Sequence, residues 1–103
     1  MIIVRVKVES SADAIETLRP DLVELERATR EEVGCRDYVF CRELADPNRL
    51  RILEVWDSME ALRAHFATPH MAAFRKALAG APPRTMEVEV HELGAELELP
   101  GSS

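Results

Sequence analysis

Between Leu53 and Phe74 the chain reads Leu-Glu-Val-Trp-Asp-Ser-Met-Glu-Ala-Leu-Arg-Ala-His-Phe-Ala-Thr-Pro-His-Met-Ala-Ala-Phe, and this stretch limits the fold more than any other. It predicts the end of a strand, a helix, a sharp break and a second helix. Asp57 and Glu60 have the spacing of a capping box, which starts the first helix directly after the strand. Thr68 followed by Pro69 joins a favoured N-cap to the residue best suited to the first helical position. His65 therefore falls in the last turn of one helix and His70 in the first turn of the next.

The flanking segments complete a pattern. Ile2 to Val8 alternates, with Ile2, Val4, Val6 and Val8 on one face and Ile3, Arg5 and Lys7 on the other, as in a half-buried strand. Ser10 or Ser11 caps a helix whose stripe is Ile15, Leu18, Leu22, Leu25 and Thr29. Pro20 predicts a kink or a restart there, and Gly34 a C-cap. Cys35 to Leu44 reads as a second strand with Tyr38, Phe40 and Leu44 on one face. After a turn at 45–49, Leu50 to Trp56 returns as a third. The helix after Pro69 closes at Gly80, and Thr85 to Leu93 is a last alternating strand with Met86, Val88 and Val90 inward. The order β-α-β-β-α-β is the split βαβ arrangement of an α+β domain, here residues 1–93, followed by a tail at 94–103 that is loose from Pro100 to Ser103.

Composition excludes several functions. A net charge of −6 with no basic patch disfavours nucleic acid. No apolar run approaches the ~20 residues that span a bilayer, and the first residues lack the features of a signal peptide, so no membrane partner and a cytoplasmic location are expected. Cys35 and Cys41 lie in one predicted strand with Cα atoms about 20 Å apart, too far for a mutual disulfide, and are read as reduced thiols. The outer face of the sheet, with Arg5, Lys7, Asp37, Cys41, Glu43, Glu87, Glu89 and His91 around Val39, is too polar for a second core within one protomer. It meets either solvent or the same face of another subunit.

Few residues carry chemistry. The positive end of a helix dipole disfavours protonating an imidazole, so His70 suits a general base, and the amides of its turn suit a developing oxyanion. The alternative is a surface His that follows a Thr-Pro cap. His65, near a helix C-terminus, suits a proton donor or an imidazole that caps its own helix. Glu54 has the parity of Leu50 and Ile52, so it either pairs with an Arg or His or is a carboxyl tuned for proton transfer. Trp56 and Tyr38 are core aromatics whose polar tips can face a pocket. His65, His70 and Glu54 match no familiar zinc spacing, and no metal site is expected. Phosphate-loop, dinucleotide and nucleophile-elbow motifs are missing, which disfavours the cofactors and nucleophiles that need them.

Three blocks together resemble the antibiotic biosynthesis monooxygenase family, which includes quinol monooxygenases. They are Glu32-Val33-Gly34-Cys35 with Tyr38; Leu53-Glu54-Val55-Trp56; and Ala61-Leu62-Arg63-Ala64-His65-Phe66, continuing through Thr68-Pro69-His70 to Phe74. The resemblance spans about residues 2 to 93. It implies a ferredoxin-like protomer, a homodimer forming a dimeric α+β barrel, and a pocket between sheet and helices. It also implies oxidation of a quinol or polycyclic phenol by O2 with no cofactor, after substrate deprotonation. In that scheme His70 is the base, His65 the proton donor, and Trp56, Tyr38, Glu54, Phe66 and Phe74 the substrate contacts. Haem-degrading relatives use an Asn in the first strand, a helical Trp and a His ligand. This chain has no such Asn, His65 at the Trp position and Arg75 at the ligand position. Other relatives isomerise phosphorylated sugars or have no demonstrated activity, so this chain is alternatively an isomerase, marked by a basic cluster of Arg5, Arg42 and Arg75, or a non-enzymatic dimeric binding module, marked by a collapsed pocket with His65 and His70 turned to solvent.

Overall fold

Ile2, Val4, Val6 and Val8 bury one side of the first strand, and the rest of the fold is arranged over that side. The computed structural model describes residues 1–101. Its elements are β1 (Ile2–Glu9), α1 (Ala12–Arg30), β2 (Cys35–Arg42), β3 (Arg49–Trp56), α2 (Met59–Phe66), α3 (Pro69–Gly80) and β4 (Thr85–Glu92). The strands form one antiparallel sheet in the order β2-β3-β1-β4. This is the ferredoxin-like split βαβ topology, with the second helical segment broken in two. The buried β1 residues pair across the ladder with Trp56, Glu54, Ile52 and Leu50, so that face of β3 also lies under the helices. No helix among the described residues is long and apolar enough to cross a membrane. Cys35 and Cys41 are both free thiols.

Local chemistry explains the helix limits. Ser11 caps α1 by accepting the Ala14 N–H at 3.1 Å. Pro20 lies inside α1 without ending it, because its missing N–H falls on an exposed face where water can meet the orphaned carbonyl. Ser58, not Asp57, caps α2 by accepting the Ala61 N–H, and Asp57 pairs with Arg36 instead. Thr68 caps α3 with Pro69 in its first position, as the sequence predicts.

Other expectations need correction. The C-cap of α1 is Glu31, three residues before Gly34. Gly34 instead takes φ +84° in the turn into β2, a conformation that suits glycine. β2 ends at Arg42, leaving Leu44 outside the strand and fully exposed. Met86, Val88 and Val90 do share the parity of the buried β1 residues, yet all three are exposed. β4 is an edge strand paired only with β1, and the helices leave these side chains exposed even where Met86 shares a small cavity with Leu78. Pro100 and Gly101 form a turn, while 102 and 103 of the expected tail lie outside the described residues.

Candidate functional site

The break between α2 and α3 turns two imidazoles toward one carboxylate. His65 lies in the last turn of α2 and is 1% exposed; His70 lies in the first turn of α3 and keeps 22% of its side chain exposed. Their ring centroids are 6.1 Å apart. Glu32, in the turn after α1, places the same oxygen, Oε2, 2.7 Å from His65 Nδ1 and 2.7 Å from His70 Nε2. An ionised carboxylate only accepts, so each facing nitrogen carries a proton: His65 Nδ1–H and His70 Nε2–H both donate to Glu32. The free basic positions are then His65 Nε2 and His70 Nδ1.

His65 is enclosed by aromatic rings. Trp56 lies 4.9 Å away, Tyr38 5.4 Å and Phe66 5.5 Å between centroids. Burial holds the His65 pKa below its ordinary value, outweighing the opposing pull of Glu32. The helix C-terminus predicts a cation here; desolvation makes it a neutral ring instead. Glu54 does not join the histidines. Its Oε1 accepts the Trp56 indole N–H at 3.0 Å, and burial raises its pKa. The indole is therefore tied within the core rather than turned to a pocket. Tyr38 is likewise buried, and its phenol is pushed upward, first by desolvation and then by the Glu54 charge.

Comparison with known proteins places the chain in a family. The profile of the antibiotic biosynthesis monooxygenase family matches residues 1–77. The chain belongs to the antibiotic biosynthesis monooxygenase family. A Deinococcus radiodurans structure named for the same family is 30% identical, with a TM-score of 0.88 over 98% of this chain and 100% of that one. Rv0793 from Mycobacterium tuberculosis is 27% identical, with a TM-score of 0.82 over 94% of this chain and 98% of that one. A Bacteroides thetaiotaomicron protein described as of unknown function and a possible oxidoreductase is 25% identical, with a TM-score of 0.80 over 89% of this chain and 96% of that one. No curated protein matches the sequence.

Within this monooxygenase-family scaffold the other expected contacts separate. Phe66 is 52% exposed beside His65, on the surface rather than in a cavity. Phe74 lies 6.3 Å from Phe40 and lines an apolar cavity of about 20 Å³ between sheet and helices, with Leu78 and Met86. That void holds roughly one water, far below the ~300 Å³ of a small-molecule site. A wider groove of about 220 Å³ runs between α1 and β2 past Arg19, Glu26, Phe40 and Arg42. Neither space is lined by His65 or His70. The three arginines do not form a phosphate cluster. Arg5 pairs with Glu89, Arg42 with Glu16, and Arg75 donates to the Phe66 carbonyl.

Glu32 is the residue that pattern reading missed. It stands in the Glu-Val-Gly-Cys block that carries the family resemblance, but helical periodicity has already ended there. Its partners lie 33 and 38 residues away.

Proposed function

We propose that this chain is a cofactor-independent monooxygenase that deprotonates a quinol or polycyclic phenol and lets the resulting anion react with O2. The observation that supports it best is the one Glu32 oxygen shared by both imidazoles. With Nε2–H donated to Glu32, His70 accepts the substrate proton on Nδ1, and the carboxylate behind it stabilises the imidazolium. His65, neutral and packed by Trp56 and Tyr38, fixes Glu32 from the other side as a positioning residue. Thr68 takes the Met71 amide and Pro69 has none, which leaves the His70 amide to meet a developing oxyanion in the first turn of α3. Phe66, exposed beside His65, supplies apolar contact for the substrate ring, and the protomer pairs with a second copy through the outer face of the sheet.

The electrons come from the substrate. The phenolate passes one electron to O2, and the two radicals join through a new C–O bond. Cleavage of the O–O bond then gives a quinone carbonyl, while the departing oxygen leaves as water with protons from the substrate. Phenol and O2 thus yield quinone and water with no further reductant.

O2 uptake with a panel of hydroquinones and polycyclic phenols tests this. His70→Ala is expected to lower the rate by about 10²-fold or more with the thermal midpoint little changed. Glu32→Gln, which keeps shape but not charge, is expected to lower it by roughly tenfold. Uptake by His70→Ala near the wild-type rate removes His70 from the mechanism.

A further inference from the structure

We propose that Glu32, His65 and His70 form a binding site for a divalent first-row metal ion, with Zn2+ as the fitting species. Two imidazole nitrogens and one carboxylate oxygen come from three separate segments, and these donor atoms all lie within 4.8 Å of one another. Two His and one carboxylate, with room for water, is the donor set of an open zinc site rather than a closed structural one. The same set serves other borderline divalent ions.

Binding needs a rearrangement in which donors that lie within 4.8 Å of one another settle at the bonding distances of one ion. Ligand bonds of ~2.0–2.1 Å at tetrahedral angles put neighbouring donors about 3.4 Å apart. The two observed oxygen–nitrogen distances are 2.7 Å, so each opens by roughly 0.7 Å when an ion replaces the shared protons. Glu32 sits in a turn, and His70 is partly exposed at a helix start, so both can move by that amount. His65 is locked by its ring neighbours and serves as the fixed ligand. Each imidazole then presents Nδ1 of His65 and Nε2 of His70 as lone pairs and carries its proton on the opposite nitrogen. The open side of the cluster, where Glu32 is 13% and His70 22% exposed, gives the ion a path from solvent.

Metal and proton compete for the same atoms. On the reading of His70 as the base, a bound ion swings the His70 proton onto Nδ1 and removes its basicity. Zinc is then an inhibitor of the O2 reaction. The binding itself does not depend on that reading.

The test uses the full chain, stripped with a chelator and titrated with Zn2+ by calorimetry and with Co2+ by its visible d–d absorption. One ion per chain is expected, with Co2+ bands of a low-coordinate nitrogen and oxygen site. Glu32→Gln and His70→Ala should each weaken binding by at least roughly 10–100-fold, the loss that follows even from removing a group behind a metal ligand. His91→Ala removes the exposed imidazole that lies 3.7 Å from Glu89, and should leave binding unchanged. Wild-type protein that takes up no ion overturns the proposal, as does equal affinity in Glu32→Gln, or loss of binding with His91→Ala. Should His70→Ala unfold, the near-isosteric Glu32→Gln decides alone. These readouts need no substrate, so they stand or fall separately from O2 uptake.

Discussion

Glu54 and Glu32 show how the surroundings divide labour between two carboxylates. Glu54 is 5% exposed on the core side of β3, with the Trp56 indole N–H as its hydrogen-bond partner. Desolvation is the largest influence on it and favours the neutral acid. A carboxyl whose folded pKa lies above its unfolded value of 4.5 is neutral in both states at low pH and costs nothing there. As pH rises past 4.5 the unfolded chain ionises first, and the folded state loses stability until the folded pKa is passed. Glu54→Gln removes this loss while still accepting the indole proton. Its thermal midpoint should match wild type near pH 4 and exceed it by a few degrees near pH 7, measured by circular dichroism. Equal midpoints at both pH values would show that Glu54 is solvated in the folded state. Strand parity alone exposed Glu54 as a residue needing explanation. Glu32 gave no such signal, since a polar residue in a turn is ordinary until its partners are known.

At the level of elements, the turn from α1 into β2 sets how closely Glu32 approaches α2. Gly34 sits in that turn at φ +84°, and a Cβ built there falls 2.6 Å from the Ala61 Cβ. Its carbonyl also accepts the Asp57 N–H at 2.8 Å, tying the turn to the start of α2. Ala61 is one helical turn before His65, so any side chain at 34 pushes α2 away from Glu32. Gly34→Ala is expected to cost at least ~1–3 kcal/mol from backbone strain alone, read from denaturant unfolding. Gly80→Ala is the control: nothing lies within 4 Å of its Cβ position, so it should be neutral or slightly stabilising. A Gly34→Ala midpoint equal to that of Gly80→Ala would mean that the turn readily repacks. The elements themselves were legible because each follows from local rules. The alternation of β1, the α1 stripe and the Thr68-Pro69 start of α3 are contained in a few adjacent residues. The convergence of Glu32, His65 and His70 depends on how three elements pack, which no local period encodes. The neutral state of His65 was hidden for a related reason, because three aromatic residues from three elements create the burial that defeats the helix end.

For the whole molecule the unfinished feature is the sheet, whose outer face no helix covers. Ile3, Leu53, Val39 and Val55 lie half-buried at its centre, and Arg5, Lys7, Arg51, Glu43, Glu87 and Glu89 surround them. Some of these charges already pair within the protomer: Arg51 with Glu43 at a part-buried site, and Arg5 with Glu89 at an exposed one where such a pair contributes little alone. Apolar centre and charged rim are the arrangement of a protein interface, and mixed charge lets the same face meet itself about a two-fold axis. The second exposed apolar surface, Met86, Val88 and Val90 on β4, extends the opposite face and competes as the site of pairing. The two surfaces can be separated by one substitution. Leu53→Asp puts a charge at the centre of the outer face, where a dimer would desolvate it and face it with its own symmetry mate. Sedimentation equilibrium should find wild type at twice the mass of the 11.6 kDa chain and Leu53→Asp at the single mass. Val88→Asp should leave the dimer intact. The reverse result would move the interface to β4, on the same side of the sheet as the Glu32 cluster, and a partner there would supply the walls that the small apolar void at Phe74 lacks.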